Sequence, residues 1–344
     1  MKRVLLILFV LLVATVGIIA YQLYNNYYKG EITLLDQEDP YLYIPTGSDY
    51  ETVVGLLQQK VDIGNREAFD QMTEYMKYVK TPMRSGRFKL DANMSLVELI
   101  RHLRNGPQAP VNVIINNERL IEEVAGKVAR FIEPDSLSIL ALLQDQNYLD
   151  EIGYTKETLM SLFIPNTYEL YWNSKPKAFV ERMIKEHKSF WNKNNRKNKA
   201  EKLGLNPSEV YTLASIIERE TLHNKEKPRM AGVYYNRLQK GMLLQADPTA
   251  VFARKDFSTP RVTDYHTKFD SPYNTYMYTG LPPGPISMAS ISSIDGVLNV
   301  ENHDYVYFCA IGDGSGYHNF ARTLSQHNRN AQIYRSNLRK RGLR

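Results

Sequence analysis

Residues 213–221 read LASIIERET, and the place of Glu218 in this segment decides how the surrounding chain is read. At about 100° per residue, Ile217, Thr221, Ala214 and Leu213 fall within roughly 60° of the direction of Val210. Glu218 lands at about 80°, with Tyr211 and Leu222 beyond it at roughly 100–120°. Arg219 points the opposite way. Glu218 therefore lies inside the apolar arc, beside the small residues Ala214 and Ser215. A Glu in that position either snorkels or pairs with a basic residue, the commoner case across helices. Otherwise it is a half-desolvated carboxyl of raised pKa in a cleft, as a general acid requires.

Outward from this segment, Asn206-Pro207-Ser208 opens the helix, with Ser208 as cap and Glu209 at its positive end. MAGVYYNRLQKGMLLQADPTAVF follows, predicting a helix from about Lys227 to Leu238 and a stop at Gly241. SPYNTYMYTGLPPGPIS is rich in Tyr, Pro and Gly and lacks apolar periodicity, the character of a loop that lines a site. The strand DYVYFCAI and the segment GDGSGYHNFARTLSQHNRNAQIY close the domain.

The chain has 344 residues, enough for two domains. Lys plus Arg (43) against Asp plus Glu (37) leaves +6, an excess too small and too dispersed to indicate nucleic acid. The single cysteine, Cys309, is expected to be a small buried hydrophobe. At the N-terminus, MKR precedes an uncharged apolar run from Val4 to Tyr21 that spans roughly 27 Å as a helix, close to a bilayer's hydrocarbon thickness. Tyr21, Tyr24, Tyr27 and Tyr28 follow at interface depth, and the first basic residue after the run is Lys29. With Lys2 and Arg3 ahead of it, the run predicts an uncleaved single-pass anchor with its N-terminus in the cytoplasm; cleavage as a signal peptide is the alternative.

Residues 22–40 are expected to form a stalk. From Tyr41 the pattern gives a short strand, a Pro-Thr-Gly turn, two helices, a strand through SGRFKL and a helix ending at Gly106. This β-α-α-β-α order over residues 41–107 resembles a LysM-like module, which implies contact with glycans containing N-acetylglucosamine or a purely positioning role. PVNVIINNERLIEEVAGKVARFI then gives a strand and an amphipathic helix. Residues 175–202 carry an apolar stripe that includes His187, expected to be packed within it, and a Lys-rich opposite face. The expected fold class is α+β: cytoplasmic tip 1–3, transmembrane helix 4–21, stalk 22–40, LysM-like domain 41–107, and a larger mixed α+β catalytic domain over 108–344.

His303, His318 and His327 lack ligand spacing, and HExxH, paired cysteines, GxSxG and a P-loop are all missing from the sequence. No metal or cofactor is expected. Carboxylate chemistry on an extracytoplasmic polymer remains. A glycosidase with two carboxylates would take its second from Glu220 or Asp247, but Glu220 lies roughly 160° around the helix from Glu218. A single Glu suffices where the substrate supplies its own nucleophile: the C6 hydroxyl of N-acetylmuramic acid attacks its own C1, giving a 1,6-anhydro ring without water. The Glu protonates the glycosidic oxygen and then, as carboxylate, takes the C6 proton.

LASIIERET, YYNRLQKGMLLQADPT, YNTYMYTGLPPGPIS and YHNFARTLSQHN, in this order, are similar to the signature blocks of the YceG-like endolytic murein transglycosylases. The resemblance implies Glu218 as catalytic acid/base. It implies substrate binding by Asn236, Arg237, Gln245, Asp247, Tyr273, Asn274, Thr275 and Tyr276, with Glu220 counted among them as a supporting carboxylate. MSLFIPNTYELYW departs from the family's block: Met160 and Ser161 stand where Glu and Gly are expected, and Asn166 where Asp is. What the resemblance implies is a membrane-anchored lytic transglycosylase, with its catalytic domain outside the cytoplasmic (inner) membrane. It would cut the β-1,4 bond between N-acetylmuramic acid and N-acetylglucosamine in nascent strands, ending their elongation, with penicillin-binding synthases as partners. The alternatives are a muramidase-type hydrolase and a non-catalytic peptidoglycan-binding scaffold.

Overall fold

The structure, a computed structural model, describes residues 2–25, 28, 32–64 and 66–343. Tyr27 of the expected aromatic belt and Lys29 lie outside these residues. Helix α1 (Lys2–Tyr24) has a mean hydropathy of 3.0 over its most apolar window and no buried side chain. It is long and apolar enough to cross a bilayer, a property that anchors and signal sequences share.

The chain divides into two compact units. The first runs to Asn112 and takes back Phe131–Glu133 and Glu169–Ser174. Its elements are β1 (Thr33–Leu34), β2 (Tyr41–Ile44), α2 (Tyr50–Gln58), β3 (Val61–Asp62), α3 (Arg66–Tyr75), β4 (Gly86–Lys89) and α4 (Leu96–Asn105). Strands β2 and β4 pair antiparallel with Leu42 opposite Phe88, and β1 pairs antiparallel with β3. Alternation along β2 buries Leu42 and Ile44 and turns Tyr41 and Tyr43 outward. Asp49 caps α2, and a reciprocal Ser95–Glu98 capping box starts α4. The order expected over 41–107 is present, with β3 added to it. Ile32 is buried and Leu34 packs on the same core, so the chain is already folded from residue 32, inside the stretch expected to be stalk.

The second unit contains Val113–Arg130, Pro134–Tyr168 and the chain from Lys175 onward. In chain order the remaining elements are β5 (Val111–Ile115), α5 (Ile121–Val128), α6 (Ser136–Gln144), α7 (Gln146–Ile152), β6 (Asn166–Leu170), α8 (Pro176–Asn192) and α9 (Arg196–Lys202). They continue with α10 (Pro207–Glu220), α11 (Lys227–Gln239), α12 (Asp247–Arg254), α13 (Asp264–Thr267), α14 (Ile291–Leu298), β7 (Tyr307–Ala310), β8 (His318–Ala321) and α15 (Leu324–Lys340). β5 pairs with β6, and β7 pairs antiparallel with β8. The result is a helix-dominated α+β unit with small two-stranded sheets.

Helix α10 is its axis. Asn206, not Ser208, is the cap: its side chain accepts from Glu209 N at 2.9 Å while Glu209 Oε2 accepts from Asn206 N at 2.8 Å. Pro207 occupies the first turn, where its missing N–H costs nothing. Val210, Tyr211, Leu213, Ala214, Ile216 and Ile217 are fully buried, each large one stabilising the fold by roughly 1.5–3 kcal/mol. They pack between α11 and α14. His187 sits among Tyr154 and Trp191, where burial lowers its pKa to about 4. Cys309 is partly covered on β7, not fully buried.

Candidate active site

Glu218 projects from α10 toward the start of α14, not into an apolar wall. Its Oε2 accepts from Lys227 Nζ at 3.1 Å, from Ser290 N at 3.3 Å and from the hydroxyls of Ser290 and Ser293. Lys227, the first residue of α11, has a side chain only 4% exposed, so the two charges form a covered ion pair. Ser290 is the cap of α14, so the carboxylate also meets the positive end of that helix. Burial alone would raise the Glu218 pKa; the two serine hydroxyls and Lys227 outweigh it, and the carboxyl is held below its ordinary value. The raised pKa expected of Glu218 is thus corrected. The helical arc placed the residue properly, but its partners are polar and cationic, so it rests as a carboxylate.

Glu220, the last residue of α10, has the opposite character. Burial pushes its pKa up to about 7 and the charge of Asp247 adds to the rise, while a 2.7 Å bond donated by Tyr234 Oη to Oε1 opposes it. The negative end of its own helix also disfavours the anion. Oε2 has no hydrogen-bond partner among the described residues. Glu220 and Asp247 line one cavity of ≈ 490 Å³, which Arg119, Arg219 and Arg261 also border and which Glu218 does not line. Asp247 begins α12, and its Oδ1 accepts from Tyr276 Oη at 2.5 Å. Two residues apart on a helix, the glutamates diverge as their angular separation requires, and it is Glu220 that enters a cavity.

The remaining expected site residues separate into two groups. Tyr276 holds Asp247, and Tyr273 packs on Phe252, a wall of the Glu220 cavity, with ring centroids 4.8 Å apart. Exposed Gln245 adopts φ 49° and accepts weakly from Arg237 Nη1 at 3.4 Å. The others are spent on the fold. Asn236 donates to the carbonyls of His303 and Tyr305, and Arg237 to those of Val306, Leu243 and Leu244. Fully buried Asn274 donates to the carbonyls of His266, Thr267 and Phe269, while Thr275 Oγ1 receives Ala246 N. The side chains of these four hold the chain around 243–246, 266–269 and 303–306 by satisfying its backbone groups.

The model of the YceG-like family matches residues 42–333. The chain belongs to the YceG-like family. Among curated proteins it is similar to the endolytic murein transglycosylase of Bacillus subtilis (strain 168), with 28% identity over 308 residues, covering 85% of this chain and 83% of that protein. It is also similar to the endolytic murein transglycosylase of Streptococcus pneumoniae serotype 2, with 25% identity over 322 residues, covering 83% of this chain and 57% of the pneumococcal protein's length. A 2.6 Å crystal structure of a yceG-like protein from Listeria monocytogenes aligns with a TM-score of 0.56 and 26% identity, covering 84% of this chain and 97% of that one.

Within this YceG-like chain, the divergent block places Met160 and Ser161 in a buried 3₁₀ turn, Leu159–Leu162, where Ser161 Oγ donates to Thr158 O at 2.7 Å. Met160 lines a second cavity of ≈ 320 Å³ that shares Arg119 and Phe252 with the first. Sequence reasoning missed Lys227, Ser290 and Ser293 around Glu218, and Tyr234 and the arginines near Glu220. One signal was legible: SMASISSI, residues 287–294, has the pattern of a serine-capped helix start after a Pro/Gly loop.

Proposed function

We propose that the chain is a membrane-anchored endolytic peptidoglycan transglycosylase, and that Glu220, not Glu218, is its acid/base. The observation that carries the assignment is a carboxyl with pKa about 7 lining a cavity beside Asp247. A group that must first give and then take one proton works best with its pKa near the working pH. Protonated Glu220 gives its proton to the oxygen joining C1 of N-acetylmuramic acid to O4 of the next N-acetylglucosamine, and that bond breaks. The C6 hydroxyl of the same muramyl residue closes on C1 and returns its proton to the Glu220 carboxylate. Acid is regenerated, no water is consumed, and the strand ends in 1,6-anhydro-N-acetylmuramic acid.

Glu218 is then a positioning residue. Its ion pair ties α10 to the starts of α11 and α14, fixing the helix whose last residue is Glu220. The names of the relatives and the length of α1 support the substrate and the anchor, with Lys2 and Arg3 on the cytoplasmic side. The element order of the first unit supports a LysM-like module near the membrane. Asp247 in the same cavity favours a second reading, in which it places a water and the enzyme is a hydrolase.

Mass spectrometry of glycan strands digested by the full-length protein in detergent tests the reaction and its acid/base. Anhydro ends are expected from wild type and from the folded fraction of Glu218→Gln, and no cleavage from Glu220→Gln. Reducing ends would establish the hydrolase. Cleavage by Glu220→Gln with none by folded Glu218→Gln would return the catalytic role to Glu218.

A further inference from the structure

The cavity beside Glu220 has two walls of opposite charge. Glu220 and Asp247 form one; Arg119, Arg219 and Arg261 form the other. Arginine ion pairs among the described residues are made by Arg66, Arg182, Arg196 and Arg229, and none of the three cavity arginines has a carboxylate within 4.0 Å of its guanidinium. Each keeps donors unspent. The Arg119 guanidinium lies over the Phe257 ring, its Cζ 4.8 Å from the centroid, which uses the face of the group and leaves its in-plane N–H edge. Arg219 donates from Nε to Ser287 Oγ at 3.1 Å and from Nη2 to Asn117 O at 3.5 Å, leaving Nη1. Arg261 is exposed and its side chain makes no hydrogen bond among the described residues.

Arg219 is also partly desolvated, and burial first, then the Arg119 charge, work against its own ionisation. The charges of Glu218 and Glu123 offset this only in part, and two guanidinium groups gathered without a directly paired carboxylate are an arrangement that a bound carboxylate relieves, through paired N–H···O bonds that suit the guanidinium fork. The facing acid pair limits what can enter, because a doubly charged phosphate would be repelled by Asp247 where a single carboxylate can be held on the arginine side.

We propose that Arg119, Arg219 and Arg261 bind a carboxylate carried on the lactyl arm of the muramyl residue at the cut, making substrate charge a determinant of specificity. This rests on the function proposed above and deepens it. Two sources present the same chemistry: the free lactyl acid of a bare strand, and the acidic residues of an attached stem peptide. The anion orients the sugar so that its glycosidic oxygen faces Glu220.

The test compares four substrates: strands with native stem peptides, strands stripped by an amidase to leave the lactyl acid, and each of these two with every carboxylate amidated. Full-length wild type is expected to show kcat/KM at least about tenfold higher on an anionic strand than on its amidated counterpart, the size of one good charge-assisted hydrogen bond. The difference should lie mainly in KM and shrink with added salt. Whichever anionic strand is favoured identifies the source. Arg261→Gln, at an exposed position where folding is not at stake, and Arg119→Gln should each lower the anionic-to-amidated ratio, and together bring it near one. Equal kcat/KM on charged and amidated strands, or a ratio unchanged in the double variant, would overturn the proposal. Calorimetric binding of the same strands to Glu220→Gln keeps the two readings apart. Tighter binding of charged strands without any cleavage by wild type would sink the catalytic reading and leave the arginine site standing; equal binding would sink the arginine site alone.

Discussion

Replacing Glu220 with Gln should stabilise the protein as the pH rises, while abolishing its activity. Unfolded, this carboxyl ionises at the ordinary value of 4.5; folded, burial defers ionisation to about 7. Between those values the native chain holds a proton that the unfolded chain has released, so stability falls as pH climbs through the window. The interval corresponds to about 3.4 kcal/mol at about 1.36 kcal/mol per pH unit, of which about 2.5 kcal/mol is lost between pH 5 and pH 8. Gln does not titrate and is spared that loss. The advantage of Glu220→Gln over wild type should therefore grow by about 2.5 kcal/mol from pH 5 to pH 8, roughly 5–10 °C in Tm for a unit of this size. Thermal melts of both proteins in matched buffers measure it. Glu218→Gln supplies the opposite sign: a carboxyl held below 4.5 stabilises above that pH, and its removal strands Lys227 as a covered, unpaired cation at a cost of about 3–5 kcal/mol. Parallel melting curves for Glu220→Gln and wild type across pH 5–8 would mean that Glu220 ionises like an exposed carboxyl, and the acid assignment would lose its basis.

Tyr234→Phe removes the 2.7 Å hydrogen bond that favours the Glu220 anion, so the alkaline limb of the kcat/KM profile, where the acid is lost, should move to higher pH; a limb that stays in place or moves down would separate that limb from Glu220. Gly284→Ala would set a Cβ 1.9 Å from the carbonyl oxygen of Glu157, a backbone clash that forces the LPPGP loop to shift. A loss of about 1–3 kcal/mol in denaturant unfolding is expected, and an unchanged midpoint would mean that the loop moves freely.

What was legible in the sequence followed local rules. The Asn206-Pro207 start, the apolar arc of α10, the β2 alternation and the length of α1 all depend on residues within a turn or two of one another, where spacing alone fixes the outcome. What surrounds Glu218 does not. Ser290 and Ser293 lie 72 and 75 residues further along the chain, so a helical arc that shows which way a carboxyl points cannot show that it points at a capped helix start. The same limit governed the loop residues. Asn274 and Arg237 are polar residues in segments without periodicity, a pattern equally suited to lining a cleft and to satisfying buried carbonyls; fully buried Asn274, donating to three of them, does the second.

The contrast between the two glutamates follows from helix ends more than from depth. Both are partly covered, and for both the largest effect is desolvation, which favours the neutral acid. Glu218 answers it with Lys227, two hydroxyls and the N–H-rich start of α14, and stays ionised. Glu220 sits at the carbonyl-rich end of α10 with a second carboxylate in the same cavity, and the one phenol that donates to it offsets only part of the cost of charging it. A two-residue step along one helix thus separates a carboxylate locked for structure from a carboxyl free to exchange a proton near neutrality. Any change that moved Lys227 within reach of Glu220 would lower its pKa and cost the proton that bond cleavage needs.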